Sequence, residues 1–131
     1  MATSSDSNAA RLIDDEGTIT DLLEACLKHI FAKYCTPSVP RTSETTLLVP
    51  PADAYLSAEG LDKWAVDTNG EPFSEETKEE VVESFDVTDD GKLTLKGFIQ
   101  LYQLQTQSDE EETLKDLQKH GFDRRLQFIM K

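Results

Sequence analysis

The run from Asp86 to Phe98 places oxygen-bearing groups at alternating positions around a glycine that permits a sharp turn. Gly91 stands at position six of this twelve-residue loop, where a left-handed backbone conformation is needed. A hard cation such as Ca²⁺ takes roughly six to eight oxygen ligands, so this spacing predicts a cation loop. The candidate metal ligands, at loop positions one, three, five, seven and nine, are Asp86, Thr88, Asp90, Lys92 (through its carbonyl) and Thr94.

Apolar residues flank the loop at the spacings at which two helices would meet a shared core. Before the loop stand Val81, Val82 and Phe85, and after it stand Phe98, Leu101 and Tyr102. Leu93, at position eight, is the apolar residue that pairs two such loops across a short β bridge. Loop and flanks together indicate an EF-hand over residues 74–105, with helices over 74–85 and 95–105.

The loop departs from the EF-hand pattern at position twelve, where Gly97 replaces the bidentate glutamate. Only Asp86 and Asp90 then remain as charged ligands at the expected positions. We therefore expect calcium, the predicted cofactor, to bind with a dissociation constant of about 10⁻⁴ M or weaker. The alternative is an EF-hand-shaped loop that holds no ion, its aspartates and glycine serving as turn residues.

A short internal repeat predicts a partner hand. Leu56-Ser-Ala-Glu-Gly-Leu61 matches Leu93-Thr-Leu-Lys-Gly-Phe98 at an offset of 37 residues. The first hand is predicted over 20–66, with helices over 20–34 and 57–66 followed by a turn at 67–70. A proline-rich loop over 35–54, with one short extended segment at 47–49, separates its helices and holds only Asp53 as a candidate ligand.

Ser108 and Glu111 form a capping box that predicts a further helix over 108–120, ended by Gly121. We expect this helix to pack intramolecularly into the apolar groove of the paired hands. If it leaves the groove, an amphipathic target helix of a partner protein can take its place. The predicted partner-binding residues of the groove are Leu61, Trp64, Phe98, Leu101 and Tyr102.

Two segments of the chain resemble part of the Miro mitochondrial GTPases. These are Leu-Thr-Leu-Lys-Gly-Phe-Ile-Gln-Leu-Tyr at 93–102 and the Glu-Thr-containing stretch at 109–123. The resemblance, over about forty residues, implies a non-binding EF-hand whose exiting helix opens on a Gly-Phe pair, followed by a helix that occupies the groove like a bound ligand. The sequence lacks the glycine-rich phosphate loop and the membrane anchor of that family, so neither GTP chemistry nor anchoring is carried over.

Charge and composition narrow the classes of function. The net charge is −13, from 26 acidic and 13 basic residues, which disfavours nucleic acid and favours cations and basic peptides. The sequence shows no signal peptide, no membrane span and no nucleophile–base set of an enzyme.

We therefore expect a cytoplasmic, monomeric, all-α protein: a disordered tail over 1–17, then a degenerate paired EF-hand domain over 18–131. Cys26 and Cys35 are expected to be reduced thiols, and His29 and His120 to be surface or capping residues.

Overall fold

The computed structural model describes residues 12–36 and 47–127, and this part of the chain is mostly helical. Five helices and one two-stranded antiparallel sheet occur in it, which confirms the predicted helical class in its broad outline. In chain order the elements are α1 (Asp21–Tyr34), β1 (Tyr55–Leu56), α2 (Ala58–Asn69), α3 (Glu75–Ser84), β2 (Leu93–Thr94), α4 (Leu95–Ser108) and α5 (Glu110–Lys119).

Hydroxyl side chains start four of the helices. Each accepts a hydrogen bond from the backbone N–H three residues on, which satisfies one of the donors that a helix start leaves open. This local chemistry is readable in the sequence, and the predicted starts of α1 to α4 agree with it to within one residue. The four caps are Thr20, Ser57, Ser74 and Thr94.

Three helix ends differ from the prediction. α2 continues through the predicted turn at 67–70 and ends only at Gly70, whose φ of 90° closes the helix in the left-handed region. α4 likewise runs on to Ser108, so this residue cannot cap α5. Asp109 does so instead, because its carboxylate accepts from Glu111 N over 3.1 Å; its own N–H donates to Gln105 O over 2.7 Å and closes α4.

The predicted tail over 1–17 is too long at its C-terminal end. Residues 12–17 form a tight turn in which the Asp14 carboxylate accepts from the N–H groups of Glu16 and Thr18, and Leu12 is buried. The prediction for residues 1–11 lies outside the described residues. So does that for 37–46 of the proline-rich loop, whose predicted extended segment at 47–49 is not a strand.

The sequence predicts a surface or capping role for His29, and this is wrong, because the side chain is fully buried. Its Nδ1 accepts the backbone N–H of Leu48 over 2.9 Å, which fixes the returning loop against α1. Its ring also meets Phe122 edge-on, with the ring centroids 5.6 Å apart. A histidine thus replaces an apolar core residue at the point where two irregular segments meet.

The core lies between α1, α2, α4 and α5, beneath the small sheet. Leu56 pairs with Leu93 in that sheet, and both side chains are buried. The aromatic centre of the core consists of Phe31, Trp64, Phe98 and Tyr102, whose rings meet edge to face. Both cysteines are buried thiols, as predicted, and burial raises the pKa of Cys26 to about 12.

Among the residues that the structure describes, none of the helices has the length and apolar character needed to cross a bilayer.

Candidate functional site

The two helices that follow the strands begin in the same way. Ser57 Oγ accepts the N–H of Gly60 at the start of α2, and Thr94 Oγ1 accepts the N–H of Gly97 at the start of α4, each over 3.1 Å. The 37-residue repeat seen in the sequence therefore corresponds to two copies of one local structure, joined side by side by the β1–β2 pairing.

Each of these glycines lies directly against a backbone carbonyl of the segment that enters its loop. A Cβ atom on Gly97 would overlap the carbonyl oxygen of Asp86 and would lie 2.7 Å from Leu93 Cδ1. A Cβ on Gly60 would overlap the carbonyl oxygen of Tyr34, the last residue of α1. Neither glycine has a positive φ, so space rather than backbone freedom requires it. Gly97 thus fills loop position twelve with a packing contact in place of a ligand.

The interior of the second loop is held by its own hydrogen bonds. The Thr94 hydroxyl donates to Asp86 Oδ2 over 2.6 Å, joining loop positions one and nine. Thr88 N donates to Lys92 O over 2.8 Å, and Lys92 N donates back to Thr88 Oγ1 over 3.1 Å. Gly91, with φ of 82°, forms the predicted left-handed turn between them. The loop is therefore a closed hairpin of reciprocal contacts.

This geometry engages most of the predicted ligand oxygens within the loop itself. Four of the five predicted metal ligands, all except Asp90, direct their oxygens at other groups of the loop. Asp90 is exposed at the tip. Within residues 12–36 and 47–127, no group of three or more His, Cys, Asp or Glu side chains could hold a metal ion. Gly97 supplies no carboxylate, and a side chain at this position would meet the carbonyl oxygen of Asp86.

Thr94 is expected to be the most sensitive side chain of the loop. Thr94→Val should lower the free energy of unfolding by about 1–2 kcal/mol, because it removes the helix cap of α4 and leaves Asp86 Oδ2 without its donor. Urea unfolding followed by circular dichroism measures the change. Thr94→Ser, which keeps the hydroxyl, is the matched control and should stay within about 0.5 kcal/mol of wild type. Equal losses in both variants would show that the hydroxyl has no such role.

The predicted partner-binding residues belong to the core. Trp64, Phe98 and Tyr102 are buried, and Leu61 and Leu101 are half-buried against the same cluster. In this conformation α5 packs across α4 and α2 beside them. The predicted partner surface is therefore available only if α5 moves away.

Both polar and apolar contacts hold α5 against α4. The Tyr102 hydroxyl donates to Asp116 Oδ2 over 3.0 Å, and Gln105 Nε2 donates to the same oxygen over 3.2 Å. One turn earlier in α5, the hydroxyl groups of Thr106 and Thr113 lie 2.7 Å apart. Burial raises the pKa of Asp116, whereas these two donors lower it. The carboxylate is thus held in the interface by the donors that surround it.

His120, at the end of α5, ties that helix to α1 and α2. Lys33 Nζ lies 2.9 Å from His120 Nδ1, and Thr68 Oγ1 lies 2.7 Å from Nε2. Since the ammonium group only donates, Nδ1 accepts and the Nε2–H donates to Thr68. Lys119 Nζ adds a bond to Thr68 O over 2.6 Å. The sequence indicated a capping histidine here but gave no sign of this buried network.

The His120 network makes stability depend on pH. Burial and the neighbouring Lys33 ammonium lower the pKa of His120 from 6.5 to about 4. Because the unfolded chain then binds the proton more tightly, the stabilisation is complete above pH 6.5 and is lost as the pH falls towards 4. We expect a contribution of about 3 kcal/mol.

Urea unfolding at pH 7 and pH 4.5 measures this contribution as the difference between wild type and His120→Gln. Carboxylates titrate in both proteins, so they cancel in that difference. A pH dependence that is the same in the two proteins would contradict the assignment.

Compared with models of known protein families and with curated proteins, the chain matches none of them.

Proposed function

We propose that this chain is a protein-interaction module built as an EF-hand-type pair that needs no ion. One observation carries the proposal: the glycine–carbonyl contact that closes the second loop at Gly97 is repeated at Gly60 in the first. In a calcium-binding hand, a metal ion joins the entering segment to the exiting helix. Here a backbone contact joins them in both loops, so the paired fold is maintained without calcium.

The short sheet supports the pairing of the two loops. Its register sets Leu56 of the first repeat opposite Leu93 of the second, and these are equivalent positions of the 37-residue repeat. Antiparallel pairing of equivalent residues is the arrangement expected of two hands related by an approximate twofold axis. The helices that follow, α2 and α4, then both begin beside this ladder and share the aromatic core.

Interaction with a protein is favoured by the surface charge. The net charge of −13 disfavours nucleic acids and other polyanions and favours basic protein segments. The exposed side chains of α2 and α3 are rich in glutamate and aspartate. The proposed role is therefore recognition of a basic partner by a preformed helical scaffold.

Affinity purification with the whole chain, once in calcium and once in chelator, tests this function. We expect the same proteins to be captured under both conditions, with loss of capture in high salt. Proteins captured only in calcium would contradict the ion-independent part of the proposal. No specific capture under either condition would contradict the interaction part.

A calcium-regulated module is the second candidate. It is favoured by three residues of the second loop, Asp86, Asp90 and Gly91. Asp86 and Asp90 stand at the charged ligand positions, and Gly91 already has the left-handed backbone of a calcium loop. This function needs the Thr94–Asp86 hydrogen bond to break on binding. It predicts that millimolar calcium shifts the amide signal of Gly91 in NMR spectra and that Asp86→Ala abolishes the shift.

A further inference from the structure

Helix α3 is packed far less than the other helices. Of its ten residues only Val81 is buried, although in chain order the helix lies between α2 and β2, which both contribute to the core. Its exposed surface is strongly acidic: one lysine, Lys78, is set against Glu75, Glu76, Glu79, Glu80 and Glu83. Such a helix contributes little to the core, so its sequence is not explained by folding alone.

An ion pair joins α3 to the exposed side of α2. Lys78 Nζ lies 3.0 Å from Asp62 Oδ1, and this contact raises the pKa of Lys78. A shallow depression of about 640 Å³ lies along α2 beside Asp62, and a second lies along α3 beside Lys78. The ion pair links one residue of each depression, and we name the two depressions together the α2–α3 face; its principal residues are Glu59, Asp62, Val66, Glu79, Val82 and Glu83.

Charge on the α2–α3 face is unbalanced. Glu59, Asp62 and Asp67 line its α2 half, and Glu75, Glu79 and Glu83 line its α3 half, with Lys63 and Lys78 as the cations of these two depressions. Six carboxylates against two ammonium groups leave an excess of negative charge on a surface that also contains apolar side chains. A basic partner matches this charge, whereas a second copy of this acidic chain is repelled by it.

Two valines stand at corresponding places on the face. Val66 lies one turn after Asp62 in α2 and is 44% exposed, and Val82 lies one turn after Lys78 in α3 and is 43% exposed. Valine is a poorer helix former than the alanine, leucine or glutamate that would suit an exposed position. Neither valine is thus placed to strengthen its helix, and both offer apolar area beside carboxylates.

We propose that the α2–α3 face docks a basic amphipathic peptide segment of a partner protein. Its apolar side chains cover Val66 and Val82, and its lysines or arginines pair with the surrounding carboxylates. The Asp62–Lys78 pair links the two halves of this surface. This inference rests on the interaction function proposed above and identifies its surface and the chemistry of its partner.

NMR titration of the whole ¹⁵N-labelled chain tests the proposal with a synthetic amphipathic peptide as the probe. The peptide consists of leucine at helical spacing and lysine elsewhere. We expect its addition to shift amide signals within 59–67 and 75–83, and raised salt to weaken binding. A peptide with glutamate in place of lysine should produce no shifts. Shifts centred on other helices, or equal binding of the two peptides, would overturn the proposal.

Two sets of variants localise the binding. Val66→Ser with Val82→Ser, and Glu59→Gln with Glu79→Gln and Glu83→Gln, should each weaken the lysine peptide about tenfold or more. The matched controls are Leu104→Ser, an exposed apolar residue of α4, and Glu16→Gln with Asp53→Asn and Glu110→Gln, three exposed carboxylates elsewhere. If the control variants lose as much affinity as the test variants, the binding does not depend on this face, and the proposal is overturned.

The same variants separate this inference from the proposed function. If the whole chain captures partners from cells and the face variants capture them equally well, the interaction function stands and the α2–α3 face is the wrong surface. If no variant or condition yields specific capture, the function itself fails. All substituted residues are exposed, so circular dichroism and urea unfolding should show wild-type folding in each variant.

Discussion

Gly97→Ala is expected to lower the free energy of unfolding by about 2–3 kcal/mol, although alanine is the best helix former. In an open helix position the same change would stabilise by about 1 kcal/mol, because glycine loses more backbone entropy on folding. The sign reverses here because the new methyl group meets the carbonyl oxygen of Asp86, which is backbone and cannot rotate aside. Gly60→Ala should behave in the same way against Tyr34 O.

Urea unfolding of both glycine variants beside Lys96→Ala provides the measurement. Lys96 lies next to Gly97 in the first turn of α4 but is exposed, so its replacement by alanine should change the free energy by less than about 0.5 kcal/mol. If Gly97→Ala and Gly60→Ala were neutral or stabilising, the close contact that closes the two loops would be refuted.

Removal of α5 is expected to abolish cooperative folding. Within the described residues, a chain that ends at Gln107 loses four buried apolar side chains, those of Leu114, Leu117, Phe122 and Leu126. At about 2 kcal/mol for each, their burial contributes about 8 kcal/mol. That sum is comparable with the entire stability of a typical domain, about 5–15 kcal/mol. The loss of the Tyr102–Asp116 and His120 contacts adds to it. We therefore interpret α5 as part of the core.

Near-ultraviolet circular dichroism and the fluorescence of Trp64 report the folding of the truncated chain. We expect it to show no sharp unfolding transition, and a synthetic peptide spanning 108–127 to restore one. The same peptide with Leu114→Asp and Leu117→Asp is the matched control and should restore nothing. A truncated chain that unfolds cooperatively within about 1 kcal/mol of the full chain would show instead that α5 is a removable occupant of the groove.

Much of the helical framework follows from local sequence. The predicted starts of α1 to α3 rest on a hydroxyl cap before an apolar periodicity, and the start of α4 rests on the apolar positions that follow the loop; this chemistry acts within four residues. The ends of α2 and α4 were placed too early. Residues 67–69 and 106–108 are polar and typical of turns, yet Thr68 and Thr106 are buried by contacts with His120 and with Thr113. Tertiary contacts extended both helices.

The sequence predicts the loop of the candidate site, but not the contacts that close this loop. The left-handed turn at Gly91 and the repeat around Gly60 and Gly97 were legible in the sequence. Gly97 could be recognised only as a missing glutamate, because its contact with Asp86 O depends on the folded loop. The roles of His29 and His120 were missed for the same reason: Lys33 and His120 are 87 residues apart in the chain, and no local pattern joins them.

The measurement that tests the central claim most directly is the free energy of unfolding in chelator and in about 1 mM calcium. A site with a dissociation constant near 10⁻⁴ M would raise it by about 1.4 kcal/mol under these conditions. If the two loops are closed by their own contacts, the values in calcium and in chelator will agree within about 0.3 kcal/mol. A calcium-dependent gain above 1 kcal/mol that disappears in Asp86→Ala would contradict the ion-independent fold proposed here.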